Sequence, residues 1–194
     1  QNMLSELLGK AVVINVTAVD SIEAGSIGGI LSGRNLVAPV ELADGMGNVA
    51  MILPEAQAAI MADLMIGQDG TNPPATLEDL HLSAVTELTN QVMDSVVSSV
   101  ASQVAKSMLT TPLEISVIDM DSAVIPGIDG EVLILEGDLQ IGDFASGKIG
   151  FVFAGSCAEA IKKGPQAEAA ADGFVGDITG GGGKAMKTTA NAQN

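Results

Sequence analysis

One order of elements occurs twice along this chain: a helix end, a strand, an antiparallel meander and a short helix, over 4–66 and again over 105–163. The register can be read locally. LGKAVVI (8–14) lies over LTTPLEI (109–115), an offset of 112 − 11 = 101 residues, and AMIL (50–53) lies over GFVF (150–153) at nearly the same offset. A duplicated half of this size predicts an α+β unit with a pseudo-two-fold axis. Its two long helices lie together on one face of an antiparallel sheet.

Local signals mark the pieces. Met3, Leu4, Leu7 and Leu8 have helical spacing that Gly9-Lys10 closes. AVVINVTAV (11–19), GSIGGILSG (25–33), LVAPVEL and NVAMIL, with a hairpin at Asp44-Gly45, predict successive strands of a meander. PEAQAAIMADLMIG (54–67) starts at a proline and stops at a glycine, as a short helix does. In the second half, TTPLEISVIDMD, EVLILEGDLQIG and KIGFVFAG predict strands, and CAEAIKK a final helix. From Thr76 to about Leu109 there is no Pro or Gly. Leu77, Leu80, Ala84, Leu88, Val92, Val96, Val100, Val104 and Met108 recur there nearly four apart, predicting one long helix with a buried stripe. The expected organisation is a folded domain over 1–165, its first helix cut short, and a flexible Gly/Ala-rich linker over 166–194 leading to a further domain.

Composition narrows the function classes. A formal charge of −16 repels phosphate backbones and anionic headgroups, so a cationic protein surface is a better partner than nucleic acid or membrane. No apolar run approaches the length of about 18 residues that spanning a bilayer needs. With aromatics at 2% and no Trp or Tyr, the core must be built from Val, Ile, Leu, Met and Ala, and ring stacking on bases or sugars is not expected. The single Cys157 makes no intramolecular disulfide, which suits a cytoplasmic location, and it is expected to pack within the last helix. TGGGGKAMKTT fails as a phosphate-binding loop: Ile178 stands five before Gly183 where a glycine is needed, and Ala185 follows Lys184 where Ser or Thr is needed. His81 is the only histidine, so a packing or capping role is expected of it and no metal site or cofactor of the chain's own.

On the long helix, Ser83, Glu87, Asn90 and Asp94 fall within an arc of roughly 60°, opposite the side that carries Leu88, Val92 and Val96. Any amphipathic helix has such a polar stripe. SAVTELTN (83–90) followed by Pro112, however, resembles the motif D/S-xxx-E-xx-N with a distant proline of the CheC/CheX/FliY phosphatases, which dephosphorylate the chemotaxis response regulator CheY. The resemblance takes in about residues 1–163, because those proteins are likewise duplicated helix and β-meander units.

The resemblance implies a fold, an activity and partners. Asn90 would orient the water that attacks the aspartyl phosphate, and Glu87 would pair with a lysine of the regulator and set the docking register. Ser83 and Pro112 would support the motif. Mg2+ is expected in the partner regulator, and the location would be the flagellar motor switch among FliM, FliN and FliG type proteins. A Gly-rich segment after the unit is most like the FliY type. The alternative is an inactive scaffold of the switch that binds rotor proteins, like the FliM middle domain. Two departures from the family pattern stand out. The 21 residues between Asn90 and Pro112 are one fewer than in the pattern, and the Asn of a second motif would fall at 90 − 101 = −11, upstream of the supplied chain, with Ala11 opposite Pro112.

Overall fold

The computed structural model describes residues 3–103, 109–112, 114–121 and 124–163. Its strands form a seven-stranded antiparallel sheet. The first half comprises α1 (Met3–Leu8), β1 (Val12–Glu23), a 3-10 turn (Ala24–Gly29), β2 (Arg34–Leu42), β3 (Gly47–Pro54) and α2 (Glu55–Met65). Then comes α3 (Asp79–Gln103), followed by β4 (Thr110–Pro112), β5 (Ser116–Asp119), β6 (Glu131–Ile141), β7 (Ala145–Ala154) and α4 (Ser156–Lys163). The expected linker over 166–194 lies outside the described residues, as do Val104 and Met108 of the expected helical row.

The spatial order is β1-β6-β7-β3-β2-β4, with β5 also on β2. Reading from either end gives the same pattern, so the pseudo-two-fold axis passes between β7 and β3, which pair from Val49↔Phe153 to Ile52↔Gly150. Within each half the last two strands are neighbours across a tight hairpin, as expected. The first hairpin turns at Asp44 (φ 58°) and Gly45 (φ 68°), the residue types that tolerate left-handed backbone. The first strand departs from the predicted meander. β1 pairs with β6 of the other half, and β4 and β5 pair with β2 of the first. Each half therefore completes the sheet of the other.

Both faces of the sheet are covered, which is why its inner strands read as continuous apolar runs: Leu36–Val40, Val49–Leu53, Val132–Leu135 and Ile149–Ala154 are buried throughout. All four helices lie on one face, where Leu4, Leu8, Met61, Leu88, Val92, Val96, Cys157 and Ile161 meet Leu36, Met51, Leu53, Leu139 and Phe151. The opposite face is closed by loops. GSIGGILSG, read above as a strand, is the 3-10 turn and its continuation, and its Ile27 and Leu31 pack with Met120, Ile125 and Ile128 over Val37, Ile52, Ile134 and Val152. It is apolar because it is a lid on that core, and at Gly28 it lies close enough that a Cβ would collide with the Met120 carbonyl oxygen. The lid ends in a polar lock. Buried Asn35 donates from Nδ2 to the carbonyls of Leu31, Ser32 and Gly33 at 3.0–3.2 Å, and Arg34 Nε meets Glu55 Oε2 at the start of α2 at 2.6 Å.

Candidate functional site

The helix α3 runs unbroken from Asp79 to Gln103, so positions three and four apart keep a fixed relation along its surface. Its inner side is set by Val85, Leu88, Val92, Met93, Val96, Val97 and Val100, all buried, with Thr89 and Ser99 buried among them. Thr89 is satisfied locally, its Oγ1 donating to the Thr86 carbonyl at 2.9 Å, and half-buried Thr86 donates likewise to the carbonyl of Leu82 at 2.7 Å.

On the outer side, Ser83, Glu87 and Asp94 are exposed and Asn90 is half-buried. Glu87 and Asn90 stand one turn apart, about 4.5 Å along the axis. Asn90 sits lower because its neighbours at i+3 and i+7, Met93 and Val97, are both buried. Its amide makes no hydrogen bond among the described residues. Glu87 Oε1 accepts from Gln91 Nε2 at 2.8 Å and has no cationic partner among the described residues. The helix carries Asp79, Glu87 and Asp94 but no Lys or Arg. Such a face can do two things chemically: attract a cation to Glu87, and offer one donor and one acceptor at Asn90 to a water or ligand above it.

Pro112 is not on this stripe. It ends β4, paired with Val40 at the edge of the sheet, where a residue without an N–H is tolerated. Leu80, assigned above to the buried stripe, is 63% exposed. The cause is geometric: a row of residues four apart turns by about 40° per step, so two steps before Leu88 it has left the packed side. His81 is half-buried near the start of α3, and its Nδ1 is buried with no hydrogen-bond partner among the described residues.

His81 borders an open cleft of about 780 Å³ with Lys10, Asp63, Gln68, Asp69 and Asn72. The acids there shape the chain. Asp63 accepts from the Gly70 N–H at 3.0 Å, and Asp69 accepts from the Thr71 hydroxyl at 2.6 Å and N–H at 2.9 Å, bonds that hold its carboxyl below the usual range. Among the described residues, no group of three or more His, Cys, Asp or Glu could hold a metal ion, and no helix is long and apolar enough to cross a membrane.

No family model matches the chain. Over 152 residues it is 30% identical to the flagellar motor switch phosphatase FliY of Bacillus subtilis (strain 168). The chain belongs to the CheC/CheX/FliY family. That alignment takes in 75% of this chain, and the chain spans 40% of the length of that relative. The crystal structure of Thermotoga maritima FliY matches with a TM-score of 0.71 at 23% identity, over 90% of this chain and 87% of that one. The middle domain of FliM from H. pylori matches with a TM-score of 0.62 at 16% identity, over 77% and 80% of the two chains. Both likenesses are of fold: the duplicated sheet with its helices on one face is common to the CheC/CheX/FliY family and to FliM.

Proposed function

We propose that this chain is part of a flagellar switch protein and hydrolyses the aspartyl phosphate of a CheY-type response regulator. The observation that carries this reading is the pair Glu87 and Asn90, one turn apart on an unbroken helix, with the carboxylate unpaired by any cation among the described residues. The curated relative's name, a flagellar motor switch phosphatase, is in keeping with it.

In this mechanism a regulator lysine approaches Glu87 and fixes the register of docking. Asn90 then stands over the acyl phosphate. Its carbonyl accepts a hydrogen bond from a water and its NH2 donates to the water or to a phosphoryl oxygen, which holds the water in line with the phosphorus. The water oxygen bonds to phosphorus as the bond to the aspartate oxygen breaks. The products are dihydrogen phosphate and the free carboxylate, and both water hydrogens end on the phosphate. A Mg2+ held by the regulator would offset charge on the phosphoryl oxygens, and the chain would then need to contribute only position. Half-burial of Asn90 serves this purpose, because a partly packed amide loses less rotamer freedom on docking.

A second reading rests on the FliM likeness: the same fold acting as a scaffold that binds rotor proteins of the FliG, FliM and FliN type. A titration separates the two. Increasing amounts of the chain should speed the decay of phosphorylated regulator until the rate saturates, and Glu87→Lys should abolish the effect. A decay rate no faster than that of regulator alone, with rotor proteins still captured, would leave the scaffold reading in its place.

A further inference from the structure

Leu80 is the most exposed of the large apolar residues on α3, at 63%, whereas the others within the helix are buried or half-buried. It stands seven residues before Glu87, so the two lie within about 20° of one another around the helix and about 10 Å apart along it. Its exposed neighbour on the same side, three residues on, is Ser83. The face running from Leu80 through Ser83, Glu87 and Asn90 to Asp94 thus has an apolar end and an anionic middle, and α3 contributes no Lys or Arg to it. A face of that kind is complementary to a cationic surface that carries an apolar contact at one side.

We infer that Leu80 is the apolar anchor of the docking surface. Its occupant is the phosphorylated regulator itself, which presents an apolar side chain about 10 Å from the lysine that meets Glu87. This inference rests on the phosphatase reading and extends it. Glu87 supplies a charge contact that salt weakens, and Asn90 acts at the reacting centre, on the water and the phosphoryl group. Leu80 supplies contact area that is buried equally before and during the reaction, so it lowers the concentration of chain needed without changing the rate of the bound complex. Orientation follows as well. A single charge pair leaves the partner free to turn about it, and a second contact two helical turns away stops that rotation.

The test is the decay of phosphorylated regulator across a concentration series of the whole chain, for wild type, Leu80→Ser, Leu80→Met and Asn90→Ala. Leu80→Ser should raise the half-saturating concentration by about ten-fold, the loss expected for one buried Leu contact, and leave the saturated rate unchanged. Leu80→Met should restore wild-type saturation. Asn90→Ala should lose the saturated rate instead. If Leu80→Ser saturates like wild type while Asn90→Ala is inactive, the anchor is refuted and the phosphatase reading stands. The anchor is refuted in the same way if Leu80→Ser lowers the saturated rate and Leu80→Met does not restore it. If wild type fails to speed the decay at all, both are refuted. The site at Leu80 is open to solvent, so matching thermal unfolding of the four proteins is expected and serves as the folding control.

Discussion

The two sides of α3 are built from the same 25 residues and answer to different demands. Toward the sheet, the side chains are apolar and packed, and the hydroxyls of Thr86 and Thr89 turn back on the helix. Toward solvent, a carboxylate and an amide share a face with an exposed apolar side chain two turns away. A side chain whose role is to pack should reveal itself in stability, and one whose role is to meet a partner should reveal itself in turnover and leave stability alone. The structure thus separates residues that three- and four-residue spacing runs together.

The sharpest break of this comparison would come from the inner side. Leu88, 1% exposed, should lose about 2–5 kcal/mol of stability on change to Ala, read from denaturant unfolding, with the saturated decay rate kept while the protein remains folded. A drop in saturated rate with no loss of stability would mean that the inner side also acts on the partner. Cys157 belongs to the same core, and burial pushes its thiol up to about 11 from an ordinary 9.0. Because the folded state holds the proton longer, the contribution is fully present below pH 9 and is lost as pH rises toward 11, at up to about 1.4 kcal/mol per pH unit. Alkaline melts of wild type and Cys157→Ala should show that loss only in wild type. Thiol alkylation at neutral pH should be slow until the chain unfolds.

The outer side should give smaller changes in stability and larger ones in docking. Glu87→Gln should need about ten-fold more chain for half-saturation, should lose the salt dependence of the wild type, and should unfold within about 0.5 kcal/mol of it. Equal salt dependence in the two proteins would remove the charge contact from the mechanism. Ser83→Ala, at the margin of the stripe, should change the decay by no more than about two-fold, and a larger effect would give it a direct contact with the partner.

Much of the architecture was legible because its punctuation is local. Pro54, Gly67 and the Asp44-Gly45 turn bound their elements where backbone chemistry requires them, and the order of pieces in one half predicts the other. Less legible was anything set by partners distant in sequence. Nothing local in VVINVTAV tells that β1 crosses to β6, and nothing local in GSIGGILSG separates a strand from a lid that crosses the back of the sheet, since both need apolar residues. Exposure of Glu87 followed from helical period alone. The half-burial of Asn90 and the exposure of Leu80 did not, because the packed side follows the drift of the helix rather than the straight row of residues four apart. The His81 cleft gave no sequence signal either, as its residues come from the turn before β1, the end of α2, the loop after it and the start of α3.

Asn90→Ala measured at saturating chain bears most directly on the account. It leaves the helix, the docking carboxylate and the core as they are and removes only the group that would hold the water. The saturated rate of regulator dephosphorylation should fall by about 10²-fold, toward the spontaneous rate, with regulator binding and unfolding unchanged. A saturated rate equal to that of wild type would contradict the account, because the water would then be placed by something other than α3.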